Sequence, residues 1–487
     1  MEFFEVFVLV FSFIILLIIG VPIAFSIGIS GILTMIVSID IIPALTTFSQ
    51  RMATGLDSFA LLAIPFFILA GNIMNSGGIA IRLIDFARIL VGGIPGGVAI
   101  VNVVANMLFG AISGSAAASA SAIGSIMNPE MKKEGYPENF SAAVNITSAT
   151  TGLSIPPSNI LIVYSLASGG VSITALFLAG YFPGILTGLG IIIAAVSMLI
   201  YKKKGLIGML KALGIIALVL VSLVLIYQAV TFSKATLSPG VNRVLLYIFL
   251  VAFIAFAVFK TIRNKQKALV GAKKFLDAIP SLFMLVIVIG GIIAGIFTAT
   301  EASAICVLYS LILAFIYRQV SVADLPDIIL RSVKTTGIVM LLVATCLGLS
   351  WIMAYENIPQ NVSAGLLSIS SNPFIVLLII NVLLLFVGTF MDMTPAVLIF
   401  TPIFLPIVTS LGVDPIHFGI IMTLNLSVGL CTPPVGSVLF IGCSVAGLSI
   451  DKVLKPLIPM FIAMVVVLLL VTYIPEISLW LPKSLGF

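Results

Sequence analysis

Small polar side chains flank two paired prolines that interrupt long apolar stretches. The first pair lies in GLSIPPSN (152–159) and the second in GLCTPPVG (429–436). Proline lacks an amide hydrogen and clashes with the preceding helical turn, so both stretches predict a broken helix. Unpaired carbonyls beside such a break suit a dehydrated cation, and the amides that begin the next helix suit an anion. The neighbouring hydroxyl and amide side chains are Asn145, Ser148, Thr150, Ser154, Ser158, Asn159, Asn425, Ser427, Thr432 and Ser437.

These oxygen ligands favour a hard monovalent cation such as Na⁺ over a transition metal. Two carboxylates also lie in apolar sequence, Asp392 in FMDMTPA and Glu301 in TATEASAI. A charge in hydrocarbon is costly, which makes both of them candidate functional residues. Asp392 could contribute to a cation site, whereas Glu301 follows Thr298 at a helix start and could instead cap that helix. The single histidine, His417, is expected at the surface, and the four cysteines are expected to be buried apolar residues.

The composition indicates an integral membrane protein. Of the 487 residues, 61% are hydrophobic and only 8% are charged, whereas soluble domains carry about a quarter charged residues. The N-terminal sequence MEFFEVFVLV has no basic segment before its apolar residues, so we expect a first membrane helix there and not a signal peptide. The chain has no HExxH, GxSxG or Walker motif, which argues against a membrane enzyme and against ATP hydrolysis by this chain.

The chain contains two copies of one unit, residues 1–200 and 278–474. A shift of 277 residues places Gly152 on Gly429 and the first proline pair on the second, and further matches follow in the same order. Predicted crossings in the first unit are 3–20, 22–38, 58–76, 139–168 and 174–200, with a re-entrant hairpin at 96–128. Those in the second unit are 279–296, 300–317, 335–354, 417–446 and 456–474, with a hairpin at 373–408. Residues 201–277 join the units and add two crossings, 208–231 and 243–260, and residues 475–487 form a C-terminal tail.

The basic residues orient these copies. With the N-terminus outside, all of the 23 lysines and arginines fall on the cytoplasmic side except Arg51, Lys234, Arg243 and Lys483, in agreement with the positive-inside rule. Five crossings in each unit is an odd number, so the repeat is predicted to be inverted, with both termini periplasmic. Amphipathic segments at 78–91 and 357–370 precede the hairpins and are expected to lie along the interface. Inverted repeats with broken helices are typical of secondary transporters with sites near the midplane.

The motifs resemble the large membrane subunit of tripartite ATP-independent periplasmic (TRAP) transporters, of the DctM or SiaM kind. The resemblance rests on GNIMNSGGIAIRLIDFA (71–87), FGAISGSAAASASAIGSIMNPEM (109–131), TGLSIPPSN (151–159), GIFTATEASA (295–304), MDMTPAVLIFTPIFLPI (391–407) and GVDPIHFGIIMTLNLSVGLCTPPVG (412–436). It implies an all-α polytopic membrane protein of the ion-transporter superfamily. Such a protein works as an elevator, in which two hairpins and two broken helices slide against a scaffold.

The same resemblance implies the function and the partners. The chain would take up an organic acid, such as sialic acid or a C4-dicarboxylate, together with Na⁺ across a bacterial or archaeal inner membrane. A periplasmic binding protein would deliver the acid, and a small four-helix membrane subunit would complete the transporter.

Two Na⁺ sites and a substrate site between the hairpin tips are implied as well. The Na⁺ candidates are Ser113, Ser115, Asn145, Ser148, Ser154, Pro156, Ser158, Gly388, Asp392, Thr394, Asn425 and Thr432. The substrate candidates are Ser113, Gly114, Thr298, Glu301, Thr394 and Pro434.

The additional crossings near 205–262 depart from the pattern of most family members, which puts the contact with the small subunit in doubt. The alternative function is a symporter of the same superfamily that needs no binding protein.

Overall fold

The computed structural model describes residues 2–93, 96–201, 205, 265–433 and 435–487. Across these ranges the backbone is almost entirely helical and contains no β-strand. A helix satisfies its own amides and carbonyls, which is what a chain of long apolar runs requires in hydrocarbon. Eight helices of the described ranges are long and apolar enough to cross a membrane. The predicted crossings at 208–231 and 243–260 lie outside the described residues.

The two halves repeat one order of elements. The helices of the first half are α1 (Glu2–Ile18), α2 (Ile23–Ser38), α3 (Ile41–Gly55), α4 (Ala63–Ser76), α5 (Ile79–Val91), α6 (Gly97–Ser113), α7 (Ala116–Lys133), α8 (Glu138–Ala149), α9 (Asn159–Ala167) and α10 (Ile173–Tyr201). Those of the second half are α11 (Lys265–Ile293), α12 (Ala299–Ile316), α13 (Leu325–Tyr355), α14 (Ile358–Ile369), α15 (Pro373–Phe390), α16 (Met393–Ser410), α17 (Pro415–Gly429), α18 (Ser437–Ala446), α19 (Ile450–Tyr473) and α20 (Glu476–Ser484).

The predicted hairpins and broken helices are confirmed. The first hairpin is α6–α7 and the second is α15–α16, while α8–α9 and α17–α18 are the two broken helices. The first hairpin continues to Lys133, beyond the predicted end at residue 128, with Pro129 inside α7. Helices α5 and α14 occupy the two predicted amphipathic segments.

Helices α3 and α20 have no counterpart among the predicted elements. Helix α3 buries only Ala44 and Phe48, and it leaves Ile41, Ile42 and Leu45 exposed. Phe48 packs against Gly31 of α2 and Gly348 of α13, where an added Cβ would lie 2.9 Å and 2.7 Å from its ring. A single buried aromatic residue therefore fixes α3, and one residue gives almost no periodic signal.

Helix α20 also explains why the expected surface position of His417 is wrong. The imidazole is only 2% exposed. Its Nδ1 lies 2.6 Å from the Ser478 hydroxyl of α20, and its Nε2 lies 3.3 Å from the carbonyl oxygen of Thr472. The C-terminal tail thus folds back and closes the start of α17.

At the centre of the molecule, helices of one half pack on helices of the other half. Helix α9, the second part of the first broken helix, packs on α16 of the second hairpin, and α18 packs on α7 of the first hairpin. The first parts, α8 and α17, instead contact the hairpin of their own half. Outside this assembly α2 packs on α13 and α4 packs on α12. This packing brings both hairpin tips and both helix breaks to one place.

Candidate functional site

A cavity of about 380 Å³ lies where these four interruptions meet. The hairpin tips contribute Gly114, Ser115, Ala116, Ala117, Asp392, Met393 and Thr394, and the broken helices contribute Leu153, Asn159, Ile160, Val163, Leu430, Ser437, Val438 and Ile441. Helices α4 and α13 complete the wall with Ile64, Ile68, Thr335 and Val339. The cavity is therefore shared by both halves of the chain.

Four helices begin at this cavity. The lining includes Ser115 before α7, Asn159 at the start of α9, Asp392 before α16 and Ser437 at the start of α18. The first amides of a helix have no partner inside the helix, and its N-terminus carries a partial positive charge. The cavity is thus surrounded by backbone donors, which is the arrangement that binds an anion.

The tip of the first hairpin is a turn of small residues. Gly114 has φ +62°, and its amide donates to the carbonyl of Gly110 at 2.8 Å, which ends α6. The Ser115 hydroxyl then accepts from the amide of Ala118 at 3.2 Å and begins α7. The side chain of Asn159 lies against Gly114, where an added Cβ would be 2.8 Å from its Nδ2. A larger residue at this position would therefore displace the amide of Asn159.

The tip of the second hairpin carries a charge. Asp392 precedes α16 in extended conformation, yet its carboxylate forms no capping hydrogen bond. The side chain keeps accessible surface and lines the cavity. It is the only ionisable side chain among the described lining residues. The carboxylate is therefore available to a ligand, and a cation is the natural one.

Each hairpin contacts the broken helix of its own half through one pair of glycines. An added Cβ on Gly152 would lie 2.4 Å from the Cα of Gly110, and one on Gly429 would lie 2.7 Å from the Cα of Gly388. At these two glycine crossings the backbones approach so closely that a Cβ on Gly152 or on Gly429 would clash with the hairpin. The repeat has preserved this close approach in both halves.

An asparagine network lies beside the first crossing. The Nδ2 of Asn106 donates to the Oδ1 of Asn145 at 3.2 Å and to the Ser148 hydroxyl at 2.8 Å. The Oδ1 of Asn106 accepts from the Ser119 hydroxyl at 2.7 Å. The Nδ2 of Asn145 donates to the carbonyl of Ala120 at 2.8 Å. This buried network is satisfied by the protein alone.

A smaller pair lies beside the second crossing. The Nδ2 of Asn425 donates to the Oδ1 of Asn381 at 2.7 Å, and the Nδ2 of Asn381 donates to the Thr472 hydroxyl at 3.1 Å. The Oδ1 of Asn425 is buried and accepts no hydrogen bond from any described residue. In the first half, the buried Ser154 hydroxyl likewise has no partner among the residues that the structure describes. Buried polar atoms without partners are uncommon and require an explanation.

The residues predicted as ligands fall into three groups. Gly114, Ser115, Asp392 and Thr394 line the cavity. A second group belongs to the hairpins and the broken helices but does not line the cavity, and it comprises Ser113, Asn145, Ser148, Ser154, Pro156, Ser158, Gly388, Asn425 and Thr432. Of these, the hydroxyls of Ser158 and Thr432 donate to the carbonyls of Leu153 and Val428. The remaining candidates are Thr298, Glu301 and Pro434.

Thr298 and Glu301 do not belong to the cavity lining. They form a capping box at the start of α12, in which the Thr298 hydroxyl accepts from the amide of Glu301 and the carboxylate of Glu301 accepts from the amide of Thr298 at 2.8 Å. Glu301 is exposed and is not a buried charge, so its capping interpretation is the correct one. Pro434 lies outside the described residues.

A family model described as the DctM component of the tripartite ATP-independent periplasmic transporter matches residues 10–477. The chain belongs to this family. The protein YgiK of Salmonella typhimurium is 50% identical over 98% of this chain and 97% of its own length. The C4-dicarboxylate TRAP transporter large permease protein DctM of Pseudomonas aeruginosa is 37% identical over 95% and 94%.

A solved structure, the YdaH transporter of Alcanivorax borkumensis, has a TM-score of 0.58 and covers 92% of this chain and 90% of its own. Its sequence identity of 13% means that the likeness shows the fold alone. Membership of the TRAP family makes the chain a multi-pass transport protein and not an enzyme, and it implies a small membrane subunit and a periplasmic binding protein as partners.

The sequence interpretation missed two features of this TRAP subunit. Asn106 and Asn381 were not among the predicted residues, although each is an amide within an apolar hairpin helix and such amides need a partner. The contribution of α4 and α13 to the cavity was also missed. That contribution depends on packing between segments far apart in sequence, for which a single sequence carries no signal.

Proposed function

We propose that the chain is the Na⁺-driven membrane subunit of a TRAP transporter that imports an organic acid by an elevator mechanism. The observation that carries the proposal is the central cavity, where four helix N-termini and one free carboxylate face the same space. The acid would be sialic acid, a C4-dicarboxylate or a similar anion, delivered by a periplasmic binding protein. The transporter would lie in the inner membrane, with both termini of this chain periplasmic.

The lining explains how an anion could bind without a cationic side chain. No lysine or arginine is among the described lining residues, so backbone amides at the four helix starts would supply the positive potential. The Asp392 carboxylate would oppose an anion on its own. A bound Na⁺ would neutralise it, which would make substrate binding depend on Na⁺.

Two Na⁺ sites would lie where each hairpin meets its broken helix. The Ser154 hydroxyl would be a ligand of the first site and the Oδ1 of Asn425 a ligand of the second, since both atoms are buried and have no partner among the described residues. Both atoms are oxygens, which is the ligand type that a hard cation requires. Broken helices leave carbonyl oxygens nearby that could complete the coordination.

The wall supplied by α4 and α13 supports an elevator. Three of its four lining residues, Ile64, Ile68 and Val339, are apolar, and Thr335 is the exception. An apolar contact lacks directional bonds, so the hairpin assembly could slide along it without breaking a polar network.

Reconstituted uptake tests the proposal. The chain is placed in proteoliposomes with its small subunit, and labelled acid is supplied on the cognate binding protein with or without an inward Na⁺ gradient. We expect accumulation only with the gradient, and no accumulation from an equal K⁺ gradient. Accumulation that ignores Na⁺ would refute the proposal, whereas equal uptake of free acid without binding protein would favour the binding-protein-independent symporter.

A further inference from the structure

A second cavity, of about 250 Å³, shares no lining residue with the central cavity and is lined by different elements. Its walls come from the first two turns of α5, the first half of α11 and the segment that follows α12. The lining residues are Gly78, Ile81, Arg82, Asp85, Lys274, Asp277 and Gln319. The positive-inside distribution of charge places this region at the cytoplasmic surface of the membrane. Four charged side chains thus surround one small cavity at a membrane boundary.

Two of these charges are paired with each other. The Nζ of Lys274 lies 2.8 Å from Oδ1 of Asp85, which joins α11 to α5. This ion pair is partly exposed and accounts for its own two charges, so it leaves the cavity neutral.

Arg82 and Asp277 have no ion-pair partner in the part of the chain that the structure describes. The guanidinium of Arg82 lies 3.4 Å from the centre of the Tyr317 ring, and its Nη1 donates to the carbonyl of Gly78 at 3.0 Å. Tyr317 contacts both residues, since its ring faces the Arg82 guanidinium and its hydroxyl donates to the backbone carbonyl of Asp277 at 3.3 Å. The cavity therefore presents one unpaired cation and one unpaired anion to a ligand.

An apolar stripe leads away from this cavity. Leu276, Phe283 and Val286 of α11 are 63%, 52% and 62% exposed and follow one another at helical spacing, and Ile81 of α5 is 54% exposed beside them. Exposed apolar residues that continue from a charged pocket at a membrane boundary fit the acyl chains and the headgroup of one lipid.

We propose that this cavity binds the headgroup of a zwitterionic phospholipid with a primary ammonium group, the chemistry of phosphatidylethanolamine. The lipid phosphate accepts hydrogen bonds from the free N–H groups of Arg82, and the ammonium group donates to the carboxylate of Asp277. A choline headgroup has no N–H to donate, and a glycerol headgroup has no positive charge. The pair of unpaired charges therefore selects ethanolamine. Lipid bound there fixes α5 to α11.

Competition between lipids tests this assignment. The chain is embedded in nanodiscs that contain equal amounts of phosphatidylethanolamine, phosphatidylcholine and phosphatidylglycerol. Native mass spectrometry then identifies the lipids that stay bound when the protein is released from the nanodisc. We expect phosphatidylethanolamine to be enriched over both competitors. Asp277→Asn should lower the enrichment over phosphatidylcholine about tenfold, since one charged hydrogen bond is lost. Arg82→Gln should lower the retention of all three lipids.

The exposed pair Asp327 and Arg331 supplies matched controls. Asp327→Asn and Arg331→Gln make the same charge changes on α13, outside the cavity, and should retain lipid like the unmodified chain. Asp277→Asn removes no side-chain hydrogen bond or ion pair within the described part of the chain. Its denaturation temperature should therefore equal that of the unmodified chain, which checks that the variant is folded.

Soluble headgroup compounds distinguish a site for a membrane lipid from a site for a free phosphate compound. Glycerophosphoethanolamine and inorganic phosphate are added separately to delipidated protein, and neither should raise the denaturation temperature as phosphatidylethanolamine does. Equal stabilisation by the soluble headgroup would contradict a lipid site. Equal retention of the three lipids by the unmodified chain, or an unchanged lipid preference in Asp277→Asn, would overturn the assignment.

Discussion

The two halves of the site share a backbone plan but differ in their side chains. Each half places a hairpin tip and a helix break at the cavity, and each crosses them through a pair of glycines. The first half, however, is neutral and carries the satisfied network around Asn106, whereas the second carries the free carboxylate of Asp392. Duplication has kept the device that exposes backbone dipoles, and the side-chain chemistry around it has diverged. The halves should therefore contribute unequally to stability and to ion binding.

Alanine substitutions at the glycine crossings should give the largest measurable difference between the two halves. The Cβ of Gly152→Ala would lie 2.4 Å from backbone atoms of Gly110, whereas that of Gly388→Ala would lie 3.1 Å from the nearest atom. We expect Gly152→Ala to lose about 3 kcal/mol or more of stability through overpacking. Gly388→Ala should cost less than about 1 kcal/mol, because alanine also favours the helix. Thermal denaturation in detergent measures both, and similar losses in the two variants would contradict the difference in closeness.

The charge at the second tip predicts the next largest effect. Asp392→Asn keeps the shape of the side chain and removes the charge that we propose attracts Na⁺. The Na⁺ concentration for half-maximal uptake should rise about tenfold to a hundredfold, the loss expected for a charge-assisted contact. Ser115→Ala at the first tip should raise it only a few-fold, since a hydroxyl bond contributes less.

Uptake as a function of Na⁺ concentration gives both values for Asp392→Asn and Ser115→Ala. Surface labelling confirms that the variants reach the membrane. Unchanged Na⁺ activation in both variants would refute the assigned sites.

Most of the fold could be predicted from the sequence because membrane burial restricts what a backbone can do. The paired prolines and the small-residue tips locate the interruptions, since no regular helix accommodates them. Helix α3 escaped prediction because one residue, Phe48, fixes it. Helix α20 was not predicted because its position depends on a contact with His417, which is distant in sequence.

The site was less predictable than the fold. The sequence left Glu301 open between a functional residue and a helix cap, and the structure shows the capping box that the pattern T-x-x-E indicates. The roles of Asn106 and Asn381 depend on which helix crosses them. A single sequence does not contain that information.

The two asparagine groups give a smaller, sharper test. Asn106→Ala would leave Asn145 Oδ1 without its donor and remove one acceptor of the Ser119 hydroxyl. Asn381→Ala would remove one donor to the Thr472 hydroxyl and one acceptor of the Asn425 Nδ2. We expect losses of about 2 and about 1 kcal/mol respectively, from unsatisfied buried groups. Denaturation midpoints measured without Na⁺ rank the variants, and a larger loss for Asn381→Ala would reverse the proposed inequality of the halves.

The smallest expected effect concerns the unpartnered hydroxyl of the first half. Ser154→Ala removes no hydrogen bond within the described part of the chain, so stability without Na⁺ should change by less than about 0.5 kcal/mol. If that oxygen is a Na⁺ ligand, the variant should lose part of the rise in denaturation temperature that Na⁺ causes, because a ligand stabilises only the state that it binds.

Ser197→Ala is the matched control for Ser154→Ala. Its hydroxyl is also buried and has no partner among the described residues, but it lies on α10, outside the hairpins and the broken helices. It should therefore keep the full response to Na⁺. An equal response of the two variants would mean that Ser154 does not bind the ion, and the charged second half would then account for Na⁺ binding alone.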